Sequence, residues 1–90
     1  MASALAQLSG TATTSVSTIQ VAEQHFEDML LECSVDQAIT LRLEFSLDGA
    51  NWTRLRPGDS IVIPVRGVAE ILLRSTAGST AWTAILTRSI

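Results

Sequence analysis

Hydrophobic residues recur at every second position over most of this chain, which is the period of a half-buried β-strand and not of a helix. Ile19 and Val21 share one face of a first strand, and Glu23-Gln24-His25 reads as a turn or short helical link. Met29, Leu31, Cys33 and Val35 then alternate with Leu30, Glu32, Ser34 and Asp36, predicting a second strand. The longest alternation sets Ile39, Leu41, Leu43, Phe45 and Leu47 against Thr40, Arg42, Glu44 and Ser46, and predicts a strand over the whole stretch. Asp48-Gly49 closes it, with Gly49 suited to positive φ, and Trp52-Thr53-Arg54-Leu55 returns as its hairpin partner.

Pro57-Gly58-Asp59 predicts the next turn, ahead of Ile61, Ile63 and Val65. Proline has no ladder donor, so Pro64 makes that strand an edge or a bulge. Beyond Arg66-Gly67, Val68 to Thr76 carries apolar residues on both faces, as a strand covered on two sides would. Ala77-Gly78-Ser79 turns the chain into Ala81 to Ile90, where Trp82, Ala84 and Leu86 share a face. About seven strands with turns every 8–12 residues predict an all-β fold, a small antiparallel β-sandwich or barrel.

The first residues differ. Residues 1–18 hold eight hydroxyl side chains, and Met1 to Ala22 carries no charge. Ala2 to Leu8 are good helix formers, but seven residues are too few to hold a helix in water. Residues 1–15 therefore read as an extended, flexible N-terminal arm that orders against a partner, with the β-domain spanning residues 16–90. With no basic segment before an apolar run, no signal peptide is expected, and no run is long enough for a transmembrane segment.

At 90 residues the chain builds one core and has no room for a second domain. Domains this small lean on a disulfide, a metal or a partner; one cysteine and one histidine supply neither of the first two, so a partner is left. The net charge is −3, from nine acids and six arginines without a lysine, which argues against nucleic acid as a partner. Residues 1–45 carry six acids against one arginine, and residues 46–90 three acids against five arginines. Two halves of opposite sign can pair within one subunit or between copies.

No catalytic set is expected. His25 is the sole imidazole, and Glu27 and Asp28 beside it would raise its pKa, so Cys33 and the ten serines lack a poised base. Cys33 sits on the apolar face of its strand and reads as a small hydrophobe. Glu27, Asp28, Glu32 and Asp36 lack calcium-loop spacing, and no glycine-rich loop leads into a helix, so neither metal nor other cofactor is expected. Trp52 and Trp82 read as core, the alternative being an exposed pair that stacks on sugar.

Ser46-Leu47-Asp48-Gly49-Ala50-Asn51-Trp52-Thr53 resembles a Ser-x-Asp-Gly-x-x-Trp-Thr hairpin found in carbohydrate-binding modules, fibronectin-like domains and virion β-domains. Together with the Arg56-Pro57-Gly58-Asp59-Ser60 turn and the uncharged arm, the chain as a whole resembles the small all-β decoration or cement proteins of tailed bacteriophage particles. That resemblance implies a structural virion protein and not an enzyme. It would be assembled in the host cytoplasm, would form a homo-oligomer, and would sit on major capsid protein or another virion protein with its arm against a neighbour. The alternative function is a carbohydrate-binding or adhesion β-sandwich module. The interface expected is Leu5, Leu8 and Val16 from the arm with Arg54, Arg56 and Arg66 from the basic half, and neither nucleic acid nor membrane is an expected partner.

Overall fold

A computed structural model of the chain describes residues 3–21 and 26–89, the side chains of 3–5 and of 89 excepted. Eight strands follow one another: β1 (Ser3–Ala12), β2 (Ser17–Gln20), β3 (Asp28–Cys33), β4 (Leu43–Ser46), β5 (Thr53–Leu55), β6 (Ser60–Pro64), β7 (Glu70–Ser75) and β8 (Thr80–Ser89). They form a β-sandwich of two antiparallel four-stranded sheets, ordered β1-β8-β3-β6 and β2-β7-β4-β5. The first is called here the long sheet and the second the short sheet.

Core residues come from alternate positions of both sheets. Met29, Leu31, Cys33, Ile63, Ala84 and Leu86 of the long sheet meet Ile19, Leu43, Phe45, Leu55, Ile71 and Leu73 of the short one, all buried. Burial of this apolar area, at roughly 25 cal/mol per Å², is the main force holding the layers together. At one end of the sandwich the buried hydroxyls of Ser75 and Thr80 satisfy each other at 2.6 Å. Of the turns predicted from glycine, only Asp48-Gly49 joins strands of one sheet, β4 to β5. Gly58, Gly67 and Gly78 carry the chain from one sheet to the other, and all four turn glycines are at positive φ.

Three expectations need correcting. Most of the segment read as an arm is strand β1, paired with β8 in unbroken register from Ser3↔Ser89 to Ala12↔Thr80. Its inward positions are Ala6, Leu8, Gly10 and Ala12, three of them small, and Trp82, opposite Gly10, lays its ring over that glycine. A Cβ at residue 10 would come within 2.8 Å of the Trp82 ring, so glycine is required there for space.

The strand expected from Ile39 to Leu47 is only Leu43–Ser46, with Ile39 81% exposed. Polar bonds end β3 and redirect the chain. The Gln37 side chain donates to the carbonyls of Ser34 and Ala81 and accepts from Ala81 N–H, and Arg42 caps the carbonyls of Ile39 and Leu41. Residues 34–42 thus cross from the long sheet to the short one, with Val35 and Ile39 exposed and Leu41 half-buried. All of β4 is buried, with Glu44 and Ser46 on its outer face. Finally, Trp52 is half-buried on the outside of the short sheet and is not a core residue.

Candidate interaction surfaces

Strand alternation gives each sheet an outer face, and the two faces have different chemistry. On the short sheet, β4 runs between β5 and β7, so Glu44 stands opposite both Arg54 and Arg74. Its Oε2 accepts from Arg54 Nε at 2.7 Å and its Oε1 from Arg74 Nε at 2.8 Å. Burial pushes the Glu44 carboxyl up, but the two guanidinium bonds outweigh it and hold the group below its usual range. The Arg74 guanidinium also lies over the Trp52 ring, 3.8 Å from its centroid. At the far edge Gln20 donates to Glu70 at 3.0 Å.

The neighbouring hairpin is likewise closed on itself. Asp48 accepts from Asn51 N–H and Ala50 N–H, and also from the Asn51 amide and the Ser46 hydroxyl, which together hold its carboxyl far below the usual range. Ser46 in turn accepts from Gly49 N–H at 2.8 Å. The N–H groups of residues 48–51 thus all have their partners inside the chain.

On the outer face of the long sheet, Leu30 stands opposite Ile85 on one side and Val62 on the other. The three form an apolar row across β8, β3 and β6, where solvent-facing positions are ordinarily polar; Val62 is 59% exposed and its two neighbours are half-buried. Gln7 extends the row onto β1, and Thr83, Glu32 and Ser60 flank it on one side.

The structure does not gather the expected interface residues into one patch. Leu8 lies on β1 at one edge of the long sheet, and Leu5 is on the same strand with its side chain outside the described part. Val16 is exposed in the link to β2. Arg56 and Arg66 flank β6 at the opposite edge, about 14 Å away at ~4.8 Å per strand, and Arg54 belongs to the other sheet. Each of these arginines meets a carboxylate of its own chain: Arg54 with Glu44, Arg56 with Asp59 at 3.4 Å and Arg66 with Glu27 at 3.3 Å. Acidic and basic halves therefore pair within the subunit at Glu44 and at Glu27. The row formed by Leu30, Val62 and Ile85 was missed, although Leu30 and Val62 each interrupt the polar side of an alternation and are visible as such in the sequence.

His25 and the rest of the Glu23-Gln24-His25 link lie outside the described residues. Cys33 is buried, and burial raises its thiol pKa, the opposite of what a nucleophile needs. A depression of about 520 Å³ beside it is lined by Glu32, Val35, Asp36 and Thr83. Among the described residues no three His, Cys, Asp or Glu side chains are grouped to hold a metal ion, and no helix is long and apolar enough to cross a membrane. Trp52 and Trp82 belong to different sheets, Trp52 outside and Trp82 packed towards the core, so they do not make one sugar-stacking platform.

The sandwich is similar to two solved structures. One is the SPBc2 prophage-derived protein YomS, with 16% identity and a TM-score of 0.59, over 94% of this chain and 96% of that one. The other is a chain from the disulfide-linked pili formed by Bacillus endospore appendages, with 15% identity and a TM-score of 0.50, over 98% of this chain and 88% of that one. What is shared is the fold. No family model matches the chain, and no curated protein sequence does.

Proposed function

We propose that this chain is a structural virion protein of a tailed bacteriophage, a capsid decoration or cement protein that stabilises the particle by seating on major capsid protein or another virion protein. The observation that carries the reading is the apolar row of Ile85, Leu30 and Val62 across the outer face of the long sheet. Such a row suits a protein surface, because covering it releases water from three large side chains at once. The shared fold with a prophage-derived protein supports the same reading, as does a short-sheet face whose charges are already paired internally.

The test is to purify particles made by the genome that encodes the chain, and to compare them with particles from a deletion of its gene. The expected result is that the chain co-purifies in many copies and that particles lacking it release DNA at a lower temperature, a defect reversed by adding the pure protein. Particles free of the chain, or a deletion that leaves their heat resistance unchanged, would overturn the proposal.

A further inference from the structure

The four sheet edges of this sandwich differ in one respect. An unpaired edge strand offers a row of N–H and C=O groups to any other strand, and proteins usually blunt such edges with proline, charge or short length. β6 ends in Pro64; β2 has four residues, with Gln20 tied to Glu70; β5 has three, with Arg54 among them. The fourth edge, β1, has ten residues without proline or charge, paired to β8 along its whole length. Every second residue of an antiparallel strand turns its backbone groups away from its partner, so about five residues of β1 present theirs outward. At this edge Leu8 is 37% exposed, although it points to the same side of the sheet as the buried Ala84.

We infer that β1 is a self-association edge, joining two copies of this chain by antiparallel β1–β1 pairing into one continuous eight-stranded sheet. The occupant follows from length and charge. Among the described edges only β1 is long enough to match β1, and two copies of an uncharged strand meet without like charges opposed. Across a two-fold axis each copy satisfies the other's outward backbone groups, and the Leu8 side chains from both copies are covered near the seam. One strand pair alone stays below the about 1,000 Å² typical of stable interfaces, so the dimer is weak and depends on concentration. This contact deepens the assembly reading above and depends on it only for its purpose.

The experiment is sedimentation equilibrium of the full chain from micromolar to millimolar concentration. The expected mass rises from one chain towards two. Gln7 and Ser9 are exposed on β1, so a Gln7→Lys/Ser9→Lys variant keeps the fold, verified by circular dichroism, and weakens the dimer by about tenfold or more. A Gln7→Glu/Ser9→Glu variant is weakened likewise, and an equimolar mixture of the two recovers the dimer. Amide exchange in β1 of the unaltered chain slows at alternate residues as concentration rises, a reading that needs no variant. A constant single-chain mass, a dimer indifferent to the lysines, or growth into filaments in place of a closed pair would each overturn the inference. An unaltered chain that binds particles but never dimerises sinks this inference alone, and an unaltered chain that dimerises but never binds particles sinks only the proposed function.

Discussion

The two sheets of this sandwich share one core and treat their outer faces in opposite ways. The short sheet, with strands of three to six residues, crosses its outer face with a carboxylate held by two arginines, one of them stacked on Trp52. The long sheet includes two ten-residue strands, and where its partner carries the Arg54–Glu44–Arg74 row it carries Ile85, Leu30 and Val62. One face has its charges paired within the chain, and the other shows apolar area to solvent beside a long uncharged strand edge. The two sheets differ in where they satisfy themselves.

The contrast requires that the two layers fold as a unit, and the largest expected effect tests that. Leu73 lies fully buried between the layers, on the central strand β7. Leu73→Ala should cost about 2–5 kcal/mol from lost burial and the cavity left behind. Far-UV dichroism and tryptophan fluorescence should then report a single transition at lower denaturant. Two separated transitions would mean that the sheets are independent units, and the comparison of their faces would lose its meaning.

Next comes the packing that makes β1 part of the long sheet. Gly10→Val places a branched side chain where a single Cβ already meets the Trp82 ring at 2.8 Å. Overpacking of this kind costs about 1–3 kcal/mol. In a Trp52→Phe background, the remaining Trp82 emission should move to longer wavelength as the ring is driven from its place over the strand. An unshifted spectrum and an unchanged melt would show that β1 does not depend on this contact.

That contact also explains what was legible in the sequence and what was not. Strands β3, β7 and β8 were readable because their inward positions are large, as in Met29, Leu31, Ile71, Leu73 and Leu86, and the predicted turns coincide with glycines at positive φ. β1 also alternates, with Ala6, Leu8, Gly10 and Ala12 against Gln7, Ser9 and Thr11, but apart from Leu8 its inward residues are too small to register as a hydrophobic face. The bulk it lacks comes from Trp82, seventy-two positions away in the chain. The converse error at Ile39 and Leu41 has the same root. Their alternation is regular, but the Gln37 and Arg42 side chains bend the backbone away from a ladder, and local periodicity cannot report a tertiary bond. The apolar row suffered similarly, since its three members come from three strands and become neighbours only through register.

On the short sheet, Glu44→Gln should remove the charge that Arg54 and Arg74 share and lower stability by about 1–2 kcal/mol at neutral pH, limited because both arginines are partly solvated. Acid should act in the same direction on the unaltered chain. Glu44 has a folded pKa below its ordinary 4.5, so its contribution is complete above pH 4.5 and is lost as pH falls through the folded value. Asp48 and Asp59, both lowered from 3.8 chiefly by backbone N–H donors, add to the loss further down the same range. Denaturant midpoints measured between pH 6 and pH 2 should fall steeply for the unaltered chain and less for Glu44→Gln. Equal slopes would mean that the triad contributes nothing to stability and that the short sheet's outer face is not internally completed.

The smallest effect on stability bears most directly on the contrast. Val62 is exposed on an edge strand, and Thr has nearly its shape and similar β-propensity, so Val62→Thr should change stability by no more than about 0.5 kcal/mol. With Leu30→Thr added, the half-buried row loses its apolar character while the ladder between β3 and β6 keeps its backbone bonds. Should the row exist to be covered, the double variant will bind particles more weakly than its own melting curve would suggest. Should the row exist only to stiffen the sheet, binding and stability will fall together. Separation of those two quantities would distinguish a docking face from an outer layer of the core.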